Sequence, residues 1–185
     1  MSYAPPVDVA AHGSYGPGRA EAARAAGRPV YPFQGRIGSP EFPAVSGRYH
    51  LYASWTCPFA GRAVAVLDLA GLRDVVGLSY VDDERDGLGW AFRERRGADP
   101  VNGFRYLSEA YDATEPGYAG HYSVPVLWDT ETRRIVSNHS TLLTLDLATA
   151  FADHAEPTDP DRLRAEVASL TADLHAEFPA ATSAR

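Results

Sequence analysis

The rhythm of apolar and polar positions changes near residue 47. Before it, Gly, Pro and Ala follow one another with little periodicity, and residues 1–46 are expected to form an extended arm, anchored near Tyr31 to Ile37 by aromatic side chains. After it, YHLYA (Tyr49 to Ala53), between Gly47 and Ser54, predicts a strand. Thr56 offers a helix cap and Pro58 suits a first turn, and good helix formers then run from Phe59 to Leu72 with Gly71 near the end. Only Arg62 and Asp68 interrupt this helix's apolar surface, which predicts burial on more than one face. VVGLSYV (Val75 to Val81) predicts a second strand, completing a parallel crossover.

Residues 82–102 form a polar insertion containing Trp90 and Phe92. Gly103 to Asp112 predicts a short helix, VPVLW (Val124 to Trp128) a strand, Arg134 to Ser137 another, and Ser140 to Phe151 a helix. A linker over 152–160 precedes a last helix from Asp159–Pro160, with an apolar stripe at Leu163, Val167, Leu170, Leu174 and Phe178. The order β-α-β, helix, β-β, helix predicts an α/β fold of thioredoxin-like topology over 47–151. The helix in 161–185 then begins an all-helical domain.

Acidic residues outnumber basic ones by 24 to 17, a net charge of −7 that argues against nucleic acid and anionic membranes as partners. All 17 basic residues are Arg, which together with abundant Ala, Gly and Pro fits coding DNA rich in G and C. The longest apolar stretch, Ala63 to Leu72, is too short to span a membrane, no signal peptide is visible, and the single cysteine excludes an internal disulfide. A cytoplasmic location is the expectation. The six histidines have no metal-ligand spacing, so no metal is expected. No phosphate loop, dinucleotide fingerprint or serine elbow occurs.

That cysteine is Cys57, in SWTCPFAGR. It falls between a strand and a proline-opened helix, where unpaired N–H groups favour a thiolate. Two readings stand: an activated nucleophile or a small buried hydrophobe. Ala60 occupies the place of a second cysteine, so a redox cycle needs its other thiol from a small molecule. Val124–Pro125 opens a strand where thioredoxin-like folds place a cis peptide, leaving the Val124 backbone free to pair with an extended thiol cofactor.

The blocks RYHLYASWTCPFAGR, DERDGLGWAF, DPVNGFRYLSEAY, GYAG, VPVLWD and IVSN, in this order, resemble the glutathionyl-hydroquinone reductases, the xi-class glutathione transferases. The resemblance implies attack by Cys57 on the sulfur of a glutathionyl-hydroquinone, release of the quinol, and a mixed disulfide that a second glutathione reduces. It implies cofactor contacts from Trp90, Val124 and Pro125. The family's acidic-serine pair, which holds the glutathione amino group, falls on His139 and Ser140, and its basic residue before VPVL falls on His121. The family's CPW is here Cys57-Pro58-Phe59. These exchanges leave glutathione and mycothiol, a sugar-bearing thiol used by many bacteria with such genomes, both open as cofactor, with His121 and His139 facing sugar hydroxyls in the second case.

Family members carry a complete helical second domain, of which this chain is expected to keep the first helix alone. The alternatives to a reductase are therefore a thiol- or protein-binding module and an inactive fragment. Apolar surface left uncovered on the two long helices is expected to drive self-association into a homo-oligomer.

Overall fold

The computed structural model describes residues 2–179. Its centre is a four-stranded sheet of order β2-β1-β3-β4: β1 Tyr49–Ala53, β2 Gly77–Tyr80, β3 Val126–Asp129 and β4 Arg134–Ser137. β1 pairs parallel with β2 and antiparallel with β3, which pairs antiparallel with β4. All five residues of β1 are buried, as a central strand covered on both faces requires. Period-two alternation divides the core. Tyr49, Leu51, Leu127 and Val136 join one cluster with helix residues Ala63, Val66, Leu67, Leu143 and Leu147. Tyr52, Val126, Trp128 and Ile135 join the other with Trp90, Phe92, Leu107 and Tyr111.

Numbered in chain order, the helices are α1 Val9–His12, α2 Gly18–Ala25, α3 Pro58–Leu69, α4 Ser108–Thr114, α5 Ser140–Thr149 and α6 Pro160–Glu177. α3 ends at Leu69, three residues before the expected Leu72, and Gly71 closes it. Gly71 takes φ 72° in the left-handed region and its N–H returns to Asp68 O. A β-carbon there would lie 2.3 Å from Glu156 O, so glycine also lets the 152–160 segment pass close by. Thr158 pins that segment, its N–H reaching Leu69 O at 2.8 Å.

Three expectations need correction. Residues 1–46 are not an extended arm ordered only near Tyr31 to Ile37. They carry α1 and α2 and bond along their length to the body, with Asp8 N–H on Asp86 Oδ2, Arg93 on Pro5 O, and Arg36 with Ile37 N–H on the buried carboxylate of Asp146. Burial pushes the Asp146 carboxyl up, against the pull of the Arg36 guanidinium. α4 starts five residues later than expected, because Asp99 holds residues 101–104 in a turn by accepting from the N–H groups of Val101, Asn102 and Phe104. The α6 stripe is not left without cover. α6 packs on α3 and α5, burying Leu163 and Leu170, while Arg62 of α3 bonds Glu166, Ser169 and Asp173 on its flank.

Candidate active site

The turn between β1 and α3 places Cys57. Its backbone is extended (φ −101°, ψ 114°), it is itself the N-cap residue, and Pro58 opens the helix. Thr56, the expected cap, instead pairs its hydroxyl with Ser54 Oγ at 3.1 Å. Cys57 is half-buried, and its thiol donates to the carbonyl oxygen of Val124 at 3.5 Å. The Val124–Pro125 peptide is cis. The strand entry is fixed from behind by a buried network. Tyr111 Oη donates to Ser123 O at 3.0 Å and accepts from Ser123 N–H and Asn138 Nδ2. Burial pushes the Tyr111 phenol up to about 12, so it stays protonated and can keep donating.

Val124 borders a cleft lined also by Tyr31, Phe59, Asn138, His139, Ser140, Thr141 and Glu177. β4 and α5 meet here at Asn138–Ser140. His139 is the N-cap of α5: its Nδ1 accepts from Leu142 N–H at 3.4 Å. Nε2 therefore carries a ring hydrogen and donates to Glu177 Oε1 at 2.9 Å. The His139 ring lies edge-on to Tyr31 at 6.1 Å.

A second row of side chains runs alongside. His121 Nδ1 is 3.1 Å from Tyr15 Oη, and its ring meets Tyr31 at 6.3 Å. Burial, with Arg85, Arg24 and Arg19 nearby, pulls the His121 imidazole below its ordinary range, so it is neutral at pH 7. The Arg85 guanidinium is held between aromatic faces, 4.1 Å from the Trp90 ring centroid and 4.7 Å from that of Tyr15. Next to the cysteine in sequence, Trp55 and Phe59 are 63% and 62% exposed; Phe59 lines the cleft, while Trp55 stacks on Tyr80 at 5.1 Å with the Arg96 guanidinium 5.2 Å from its ring.

Of the residues singled out from sequence, Cys57 and Val124 are in contact, and Val124, His139 and Ser140 share the cleft. Pro125 is buried behind Val124. His121 reaches the site through Tyr31, and Trp90 lies outside the lining, beneath Arg85. Sequence reasoning passed over Tyr31, Phe59 and Glu177. Glu177 was detectable, because it stands seven residues after Leu170 and three after Leu174, a charge on the inward stripe of α6. Tyr31 had no such signal, since nothing local tells which loop aromatic will reach a site. Among the described residues, no three His, Cys, Asp or Glu side chains are grouped to hold a metal ion. No described helix is long and apolar enough to cross a membrane.

The chain is 35% identical over 139 residues to the glutathionyl-hydroquinone reductase PcpF of Sphingobium chlorophenolicum, covering 72% of this chain and 44% of the relative. It superposes on the xi glutathione transferase of Phanerochaete chrysosporium with a TM-score of 0.67 and 33% identity, over 82% of this chain and 54% of the other. It superposes on the glutathione-bound structure of YqjG from Escherichia coli with a TM-score of 0.63 and 33% identity, over 75% and 47%. Over this span the chain is a xi-class glutathione transferase homologue.

The xi-class likeness rests on sequence and superposition, and no family model matches. The chain spans less than half the length of the curated relative PcpF. The fold is the thioredoxin-like half of a glutathione transferase followed by the start of the helical domain, as its strand order and α6 predict.

Proposed function

We propose that this chain carries the thiol half of a glutathione-dependent reductase, with Cys57 as its catalytic residue. The observation that carries the reading is the 3.5 Å contact of Cys57 Sγ with the Val124 carbonyl at the head of an open cleft. A strand-entry backbone there gives an extended peptide-like thiol amide groups to pair with, and brings its sulfur to Sγ. Ser140 and Thr141, at the start of α5, offer N–H groups further along.

In the step proposed, the Cys57 thiolate attacks the sulfur of a glutathionyl-hydroquinone. The Cys57–glutathione disulfide forms as the bond between that sulfur and the ring carbon breaks. The electron pair passes to the carbon, which takes a proton and leaves as hydroquinone. A second glutathione, as thiolate, attacks the mixed disulfide, releases oxidised glutathione and restores Cys57. The ring of the substrate is placed against Phe59, an exposed aromatic side chain in the lining of the cleft.

Mycothiol remains the second reading. Glutathione is favoured because both ring nitrogens of His139 and the Nδ1 of His121 are engaged within the protein, which leaves His121 Nε2 as the one imidazole nitrogen of the pair to meet a row of sugar hydroxyls. The experiment is incubation with a glutathionyl-hydroquinone and glutathione, following hydroquinone release by chromatography and the Cys57 adduct by mass spectrometry. Wild type is expected to form one adduct per chain and release quinol, and Cys57→Ser to do neither. An adduct without quinol release would replace the reductase by a thiol-binding module. Absence of any adduct would end the thiol reading.

A further inference from the structure

We propose that Glu177 is a specificity-determining residue of this cleft, selecting thiols that carry a primary ammonium group. The inference rests on the reading of the cleft as a thiol site. Of the eight residues lining it, Glu177 is the only acid, and the lining contains no guanidinium or ammonium group. The carboxylate is aimed: Oε1 accepts from His139 Nε2 at 2.9 Å, while Oε2 has no hydrogen-bond partner among the described residues. His139 is itself fixed, since Nδ1 is occupied by Leu142 N–H and the ring is flanked by Tyr31 at 6.1 Å and Phe178 at 5.7 Å. The imidazole thus passes its N–H to a side chain arriving from α6, 38 residues on in sequence, and holds this half-exposed carboxylate in the lining of the cleft.

The position of α6 is not left to this one bond. Leu163 and Leu170 are buried against α3 and α5, and Arg62 bonds Glu166 and Asp173 along the same helix. A carboxylate oxygen without a partner, at the wall of a cleft that also includes Val124, the carbonyl partner of the Cys57 thiol, matches a cation on the non-reacting end of the thiol. An α-amino group on an amino-acid terminus fits. A thiol whose amines are all acylated, as in an N-acetylated sugar conjugate, brings no such charge.

The test compares rates of Cys57 adduct formation with oxidised glutathione and with its desamino analogue, in which glutaryl replaces γ-glutamyl so that only the ammonium is lost. Both rates are measured by mass spectrometry on the same protein, and their ratio cancels differences in thiol reactivity or folded fraction. Wild type is expected to favour oxidised glutathione by about fivefold, the effect of one partly exposed ion pair. Glu177→Gln, which keeps the shape and the contact to His139, is expected to bring the ratio to about one. Equal rates in wild type, or an unchanged ratio in Glu177→Gln, would overturn the role of Glu177 and leave the thiol site standing. No adduct with either disulfide would remove both.

Discussion

Arg62 Nη1 on α3 lies 2.7 Å from Asp173 Oδ2 on α6, and the same guanidinium holds Glu166 by Nε at 3.1 Å and Ser169 by Nη2 at 2.9 Å. One side chain thereby follows two turns of a neighbouring helix, and α3 is capped by Cys57 while α6 ends beside the cleft.

Replacing Arg62 by Ala is expected to cost about 1 kcal/mol, because the pairs are partly exposed and solvent screens them. That corresponds to a fall in melting temperature of roughly 3 °C, measurable by calorimetry at low salt, and smaller at 1 M salt. No change at low salt would mean that apolar packing alone holds α6.

His50 should make stability depend on pH. It is buried against Ser79, with Nε2 2.6 Å from Oγ, and burial pulls its pKa from 6.5 down to about 4, with Asp99 opposing. Above pH 6.5 the ring is neutral in both states and costs nothing. Between 6.5 and 4 the unfolded chain takes up a proton that the folded chain refuses, so stability falls as pH falls, by up to about 3 kcal/mol. Urea titrations at pH 7 and pH 4.5 check this. His50→Gln is expected to flatten that segment of the profile.

Two glycines with similar backbone separate strain from collision. Gly71 (φ +72°) would drive a β-carbon against Glu156 O at 2.3 Å, whereas Gly117 (φ +77°) has open space around it. Gly117→Ala is expected to cost about 1 kcal/mol for its left-handed conformation. Gly71→Ala should cost clearly more, since the 152–160 segment must move. Equal losses in denaturant unfolding would mean that this segment yields freely.

Phe59→Ala tests the exposed aromatic side chain in the lining of the cleft. On the proposed reaction it should slow quinol release from a glutathionyl-hydroquinone by about threefold to tenfold, with a smaller effect on reaction with oxidised glutathione, which has no ring to stack. Equal slowing of both would assign Phe59 to the thiol end of the cleft.

What could be read from sequence was what local chemistry decides. Pro58 and Gly71 bracket a helix whatever surrounds it, and Val124–Pro125 marks a strand entry. The unread parts depend on partners distant in sequence. α2 has a weakly apolar composition, with only Ala20 and Ala23 buried, and is held partly by Arg19, which bonds the carbonyls of Ala119 and Gly120. The cover over the α6 stripe comes from α3 and α5, surfaces that a search for a later element overlooks. Among the described residues, the most exposed large apolar groups are Trp55, Phe59 and, at the end of α6, Phe178. The expected self-association therefore loses the α6 stripe as its cause.

The segment before β1 also settles how the sheet ends. β4 is the outermost strand, and Phe33 to Gly35 run along it: Gly35 N–H reaches Val136 O at 2.8 Å, Asn138 N–H reaches Phe33 O at 3.0 Å, and Gln34 bridges Ser137. At Gly35 a β-carbon would stand 2.7 Å from Val136 O, so the backbone must pass bare. The amides that a foreign strand would seek at this border are already taken. Growth of the sheet from one molecule into the next is closed on that side, and removal of residues 2–46 would open it.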